Sequence, residues 1–296
     1  MTQFTNLPDV RVVGAMYDKG AIMLKRTITA VVAIALFIPV CIFSDTLIFP
    51  AVMALLSVIG VYEMLGCVGV KNHRILSAVC IIFGALPLVP FFAGENAIEI
   101  IAAVSVVFLI AVYAIDVFSK GKIDYTLSAS SFMGVFYIAV SFTAIVLLRR
   151  DSEYSYLLVF IGPWVSDTFA YIFGRLLGKH KLIPEVSPKK TIEGSIAGII
   201  FAAISYVLYA YIISHFFDNS LTPNYIVMAV SGALVSIVSQ IGDLSASAVK
   251  RRFGIKDYGF IFPGHGGVMD RFDSVIMTAP ILYIISCLPI TAGLLI

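Results

Sequence analysis

Apolar residues run along this chain in blocks of about 20, separated by short polar breaks, which is the length a helix needs to cross a bilayer core of about 30 Å. Nine blocks stand out, near Thr27 to Phe43, Thr46 to Leu65, Ile75 to Phe92, Ala97 to Phe118, Ser128 to Leu148, Tyr156 to Leu176, Ser195 to Phe216, Tyr225 to Ile241 and Ser274 to Ile290. The pattern predicts an all-α, polytopic integral membrane protein with about nine transmembrane helices. The break between the first two blocks rests on Ser44 and Asp45, followed by Pro50, and leaves a tight hairpin or a re-entrant pair open.

Composition agrees. Of 296 residues, 60% are hydrophobic and 13% charged, against roughly 45 to 50% and about 25% in soluble domains. No stretch is rich in Ser, Gln or Pro and no short motif recurs at a fixed period, so neither a disordered nor a repeat architecture is indicated. Lys25 and Arg26 resemble the start of a signal peptide, but no small-residue cleavage site follows, and the first block reads as a retained helix. Cys41, Cys67, Cys80 and Cys287 lie in or beside apolar blocks without CxxC spacing, as buried packing residues do.

Charge then orients the helices, because cytoplasmic loops carry the Lys and Arg excess. With the N-terminus inside, 18 of the 20 Lys and Arg fall on the cytoplasmic side and only Arg149 and Arg150 outside. The two largest basic loops, residues 177–194 and 242–273, then face the cytoplasm. Residues 1–26 read as a cytoplasmic N-terminal segment and 27–150 as a transmembrane scaffold. In that scaffold Glu63, Glu99 and Asp116 sit near helix ends within reach of water. Residues 151–296 form a catalytic region, since acidic residues enter the helices there and the loops combine Gly, Pro, Lys, Arg, Asp and His.

Three stretches carry candidate chemistry. In GPWVSDTFAYIFGRLLGKHKL, from Gly162, Trp164, Asp167 and Tyr171 share one helix face, and Asp167 lies near mid-membrane. A carboxylate there costs a few kcal/mol unless it faces a partner or a wet cavity. Next, SPKKTIEGS, from Ser187, places Lys189, Lys190 and Thr191 just before a helix N-terminus, a setting that suits a phosphate. The same lysines also satisfy the positive-inside rule or touch anionic headgroups. Last, SQIGDLSASAVKRRFGIKDYGFIFPGHGGVMDRFDS runs from Ser239 to Ser274. Asp243, Ser247 and Lys250 or Arg251 form one polar helical stripe, Pro263 to Gly267 let a backbone approach a ligand with His265 at the centre, and Asp270 and Asp273 flank Arg271. Hard carboxylate oxygens suit Mg²⁺, Lys and Arg suit a nucleotide triphosphate, and one His without Cys argues against zinc.

The run from Ser247 through Lys250, Arg251, Lys256, Asp257, Gly259, Pro263, His265, Gly266, Gly267, Asp270, Arg271 and Asp273 resembles the signature of the phosphatidate cytidylyltransferase (CDP-diacylglycerol synthase) family. Trp164, Asp167, Ala170, Tyr171, Gly174, Gly178, Lys179 and Ser187 to Gly194 are similar to it as well, whereas the first 150 residues share only their helical, apolar character. The resemblance implies that CTP and phosphatidate give CDP-diacylglycerol and pyrophosphate at a multi-pass protein of a bacterial plasma membrane, with the site facing the cytoplasm. It makes Asp243 and Asp270 ligands of Mg²⁺, with a second cation allowed. Lys250, Arg251, Lys256 and Arg271 would neutralise phosphates, Asp257 lies in the same catalytic run, Asp273 would orient Arg271 or a metal-bound water, and His265 would position a phosphate. Asp167, Ser187, Lys189, Lys190, Thr191, Glu193, Ser247, Gly266 and Gly267 would line the substrate and cofactor site. The lipid bilayer is the third partner besides CTP and phosphatidate, nucleic acid is not expected, and a homodimer is allowed. A secondary transporter should show paired halves with interrupted helices, which the lopsided charge opposes. The paired DG and AR motif of CDP-alcohol phosphotransferases is absent.

Overall fold

The computed structural model describes residues 28–29, 31–262 and 266–288. Its helices are α1 (Val31–Ile42), α2 (Ile48–Val68), α3 (Arg74–Phe83), α4 (Val89–Ala93), α5 (Ala97–Phe118), α6 (Tyr125–Asp151), α7 (Leu158–Leu176), α8 (Ile192–Ile212), α9 (Tyr225–Arg252) and α10 (Met269–Cys287). Six helical stretches among the described residues are long and apolar enough to cross a membrane: Ile48–Val68, Arg74–Phe118, Tyr125–Asp151, Ser155–Leu176, Ile192–Phe217 and Tyr225–Arg252. The helix α10 is of similar length but opens on Asp270, Arg271 and Asp273.

Two features depart from the pattern of apolar blocks. The block Ile75 to Phe92 is not one helix: α3 stops at Phe83, a 3-10 turn follows at Leu86–Leu88, and α4 takes only five residues. Pro87 and Pro90 lack the amide N–H that a continuous helix needs from each. The fold is also not purely α. The stretch read as a basic loop contains β1 (Lys181–Ile183) and β2 (Ser187–Thr191), paired antiparallel. Their connection is the three residues Pro184 to Val186, short enough to reverse the chain directly.

The break at Ser44 is a turn stabilised from both sides. The Thr46 hydroxyl donates to the Phe43 carbonyl at 2.7 Å and accepts from Ile48 N–H, while Arg149 Nε donates to the Ser44 hydroxyl at 2.7 Å. Ser44 precedes α2, so this contact places Arg149 at the end of the bundle where α2 begins.

The two parts of the bundle pack differently. The helices α3, α5 and α6 are joined by stacked rings: Phe83 to Phe108 at 4.0 Å, Phe108 to Phe132 at 5.4 Å and Phe132 to Phe136 at 5.5 Å. Helices α7 to α10 approach through small residues instead. A Cβ on Gly194 would run into the Ala170 carbonyl and Gly174, and one on Gly198 into the Ser166 carbonyl, so α7 and α8 meet backbone to backbone. Gly242 likewise sets α9 against Asp273 and Ser274 of α10. The helix α6 is buried along its C-terminal half, from Ser141 to Leu148, and packs on both α2 and α10.

Candidate functional site

On α7 the Ser166 hydroxyl lies 2.7 Å from that of Ser236 on α9, both fully buried. At 1.5 Å per residue this pair sets Asp167 within one to two turns of Asp243 along the helices. Asp167 keeps an exposed face although it lies in the middle of α7, and its carboxylate lies within electrostatic reach of Asp243 and Lys190. The helix α9 continues to Arg252, nine residues past Asp243, so the polar stripe of Asp243, Ser247 and Lys250 is helical as expected, and the loop begins after Arg252 rather than at residue 242. The polar stripe of Asp243, Ser247 and Lys250 permits this, because it faces protein while the other sides of α9 stay apolar.

The β-hairpin delivers the counter-charge. Lys190 in β2 forms an ion pair with Asp243, Nζ to Oδ2 at 2.5 Å, and its ammonium is buried. Its neighbours have other occupations. The Thr191 hydroxyl, expected to face a phosphate, caps α8 by accepting from Gly194 N–H at 3.2 Å. Glu193 accepts from the His180 backbone N–H and lies 2.7 Å from His180 Nδ1, which fixes the approach to the hairpin. Ser187 is half-buried and Lys189 exposed.

The segment between α9 and α10 is organised around two carboxylates. Asp270, only 8% exposed, accepts from Lys250 Nζ at 2.8 Å through Oδ1, and from Tyr258 N–H at 2.8 Å and Gly267 N–H at 3.0 Å through Oδ2. Tyr258 also donates its hydroxyl to the Ala246 carbonyl at 3.1 Å, folding the segment back onto α9. Gly266 has φ +87°, and a Cβ there would press on Asp270, so the turn demands glycine twice over. Phe262 N–H donates to the Gly266 carbonyl at 2.9 Å across the turn. Pro263, Gly264 and His265 lie outside the described residues.

The second carboxylate is Glu63 of α2, which the sequence placed in a scaffold with access to water. It is 4% exposed and accepts from Val268 N–H at 3.0 Å and Met269 N–H at 2.9 Å. The correction has a physical cause: those amides open α10 and lack intrahelical acceptors, so a carboxylate satisfies them and the positive end of the helix together. The one local signal was a Glu inside the apolar run VYEML.

Asp273 accepts from Ser274 N–H at 2.8 Å and lies within electrostatic reach of Asp243, Lys250 and Asp167. Arg271 is exposed and does not pair with Asp273 among the described residues, since positions two apart on a helix point away from each other. Arg251 and Lys256 are likewise exposed, while Ser247 and Asp257 are half-buried. The acids thus fall into two groups joined by Lys250: Asp167 and Asp243 around Lys190 with Asp273 near both acids, and Asp270 with Glu63 at the loop. Among the described residues no three His, Cys, Asp or Glu side chains form a ready metal cluster. The arrangement is a cluster of carboxylates on α7, α9 and α10 set against Lys190 and Lys250, with Arg251, Lys256 and Arg271 exposed nearby in the chain.

Comparison with known proteins identifies the family. Residues 24–288 match the model of the cytidylyltransferase family. A phosphatidate cytidylyltransferase of Staphylococcus haemolyticus is 37% identical over 267 residues, covering 89% of this chain and 98% of the relative. Proteins of the same name from Staphylococcus epidermidis and Staphylococcus aureus are 35% and 34% identical, over 89% of this chain and 98% of each relative. With a family model matched over most of its length and relatives above 30% identity, the chain belongs to the cytidylyltransferase family.

Proposed function

We propose that the chain transfers the cytidylyl group of CTP to phosphatidate, giving CDP-diacylglycerol and pyrophosphate. The observation that carries this reading is the convergence of Asp167, Asp243 and Asp273 with Lys190 and Lys250 in one cluster of a membrane helix bundle. A phosphate oxygen of phosphatidate attacks the α-phosphorus of CTP in line, a new P–O bond forms, and the bond to the β-phosphate breaks with its electron pair leaving on pyrophosphate. Phosphatidate is already ionised, so no general base is required. The chain's task is to position two polyanions and offset their charge. Lys190 and Lys250 supply that charge inside the cluster, and Arg251, Lys256 and Arg271 supply it nearby, where a soluble triphosphate arrives. The lipid's tails stay in the bilayer beside the helices.

Asp243 and Asp270 would hold Mg²⁺, with a second cation accommodated beside them. The donor set fits: both are hard oxygen donors on adjacent helices, and each already draws a lysine ammonium to it, Lys190 at 2.5 Å and Lys250 at 2.8 Å. When bound, the cation would add charge stabilisation on the phosphates. Nine spans, a cytoplasmic N-terminus and a cytoplasmic site in a bacterial plasma membrane complete the reading, and the Lys and Arg excess on one side of the spans supports it. A homodimer is compatible with it.

CTP labelled at its α-phosphate, incubated with purified protein with and without phosphatidate, tests the reaction. A labelled lipid should form only when phosphatidate is present. No labelled lipid, or label transferred equally to another acceptor, rejects it. For sidedness, single cysteines at Lys181, Lys256 and Asn219 in a background without the four native cysteines should react with impermeant thiol reagents from the cytoplasmic side, the cytoplasmic side and the outside, respectively. The reversed pattern rejects the orientation.

A further inference from the structure

We infer that Glu63 is a positioning residue for the reaction, holding the loop between α9 and α10 in its working shape from the opposite part of the bundle. The inference rests on the cytidylyl-transfer reading above. Three independent observations carry it. First, the Glu63 carboxylate accepts the amides of both Val268 and Met269, where the loop passes into α10. Asp270 follows at once in the chain, so fixing those amides sets where the Asp270 carboxylate starts its helix. Second, the loop is built around this carboxylate on two sides. A Cβ on Gly259, early in the loop, and one on Gly267, late in it, would each collide with the Glu63 carboxyl group. Both positions are held to glycine by the same distant side chain. Third, Glu63 lies five residues before the end of α2, about 8 Å inside it at 1.5 Å per residue. Gly259, Gly267 and the Val268 and Met269 amides therefore meet α2 inside its end, and Tyr258 bonded to Ala246, inside α9, marks a similar depth on the other wall.

A carboxylate is needed here, and a neutral isostere cannot replace it. Two backbone donors converge on it, and carboxylate oxygens only accept, whereas the glutamine amide turns one of those positions into a donor facing a donor. A buried N–H left without an acceptor would then release the loop entrance of α10. In this view α2 is no passive scaffold, since it contributes the cross-brace between the rigid bundle and the loop that carries Lys256 and Asp257.

The test uses full-length protein in detergent–lipid micelles and two single variants that strike the same contact from opposite sides, Glu63→Gln and Gly259→Ala. In the monodisperse fraction of each, kcat should fall on the order of tenfold or more. Hydrogen exchange at Val268 and Met269 should accelerate in Glu63→Gln, a readout independent of turnover. In a Glu63→Ala background, Gly259→Ala should cause no further loss, because the group it collides with is gone. Glu63→Asp keeps the charge and serves if Glu63→Gln yields no folded protein, with the same loss of kcat expected because the carboxylate falls one methylene short. Folded variants with kcat within twofold of the parent, unchanged exchange, or effects of Gly259→Ala that simply multiply with Glu63→Ala would overturn the inference. An inactive parent with protected Val268 and Met269 amides would instead count against the reaction, leaving the brace intact.

Discussion

The α3–α5–α6 part of the molecule and the α7–α10 part solve the same packing problem with opposite materials. The first joins its helices by stacked rings, Phe83, Phe108, Phe132 and Phe136, whose bulk keeps the backbones apart and fills the space between them. The second joins them through Gly194, Gly198 and Gly242, with Ser166, Ser236, Ser195 and Gln240 hydrogen-bonded across the seams. Lipid tails are as apolar as a phenylalanine, so helix association in a membrane depends on close fit and polar contacts rather than on escape from water. The ring-packed part achieves close fit through its stacked side chains. The glycine-packed part brings backbones together at some levels and gathers the carboxylates and lysines of α7, α9, α10 and the hairpin at another. Chemistry is placed where the packing gathers polar side chains into one cluster.

The largest effect should come from removing charge inside that cluster. Asp243→Asn and Asp270→Asn each keep shape while deleting the negative charge that Lys190 or Lys250 balances, and a proposed metal ligand with it. Turnover should fall on the order of a hundredfold or more for each, at saturating Mg²⁺, with the protein still inserting and purifying. Either variant retaining more than about a tenth of the parent rate would show that the cluster works without that carboxylate.

How much of this could be read from the chain depends on the distance over which each feature is encoded. The helical, multi-span character was legible because each block carries its own signal. The acidic and basic stretches from Asp167 to Asp273 were legible because their residue types are costly in a membrane unless gathered, and the structure does gather Asp167, Lys190, Asp243 and Asp273. The hairpin of β1 and β2 escaped because strands of three and five residues with exposed, basic side chains have no apolar alternation to betray them. The break after Phe83 had its signals in Pro87 and Pro90, but a 20-residue hydropathy window averages over them. The loop was started too early, at residue 242, because the apolar block stops at Ile241, while the helix continues along the polar stripe of Asp243, Ser247 and Lys250. Glu63 was misjudged for the deepest reason: its partners lie 205 and 206 residues away, and nothing local distinguishes a carboxylate reaching water from one capping a distant helix.

A smaller effect should follow from Asp167, in the same cluster. It faces Asp243 and Lys190 without an ion pair of its own among the described residues, and keeps an exposed face. Asp167→Asn should lower kcat/KM about tenfold by weakening the field that holds substrate or cation, with little change in thermal stability. A variant that melts earlier but works normally once folded would make Asp167 a structural partner of its neighbours instead.

Smaller still is the effect expected at the seam beside the cluster. A methyl group at Gly194 meets the Ala170 carbonyl and Gly174, which are backbone and cannot swing aside. In Gly194→Ala the start of α8 must retreat from α7, and Lys190, four residues before it on the hairpin, moves with the Thr191 cap. Overpacking of this kind costs about 1–3 kcal/mol. A few-fold loss of activity should accompany the lower melting temperature, and a variant that loses stability alone would show that the seam and the cluster are mechanically separate.

The ring-packed part supplies the opposite limit. Phe108 is almost fully buried and stacks on Phe83 with the planes 10° apart, so Phe108→Ala removes a ring that two helices share and leaves a cavity between them. Loss of such a side chain costs roughly 3–5 kcal/mol, enough to lower the melting temperature of the detergent-solubilised protein by many degrees. None of the site's carboxylates or lysines lies in the stack, and α6 presents a different stretch, Ser141 to Leu148, as its most buried length. The folded fraction should therefore turn over at the parent rate with unchanged KM for CTP and phosphatidate. If kcat falls in proportion to stability here as well, the two kinds of packing are not separable, and the division between a part that holds the helices and a part that holds the substrates has no energetic meaning.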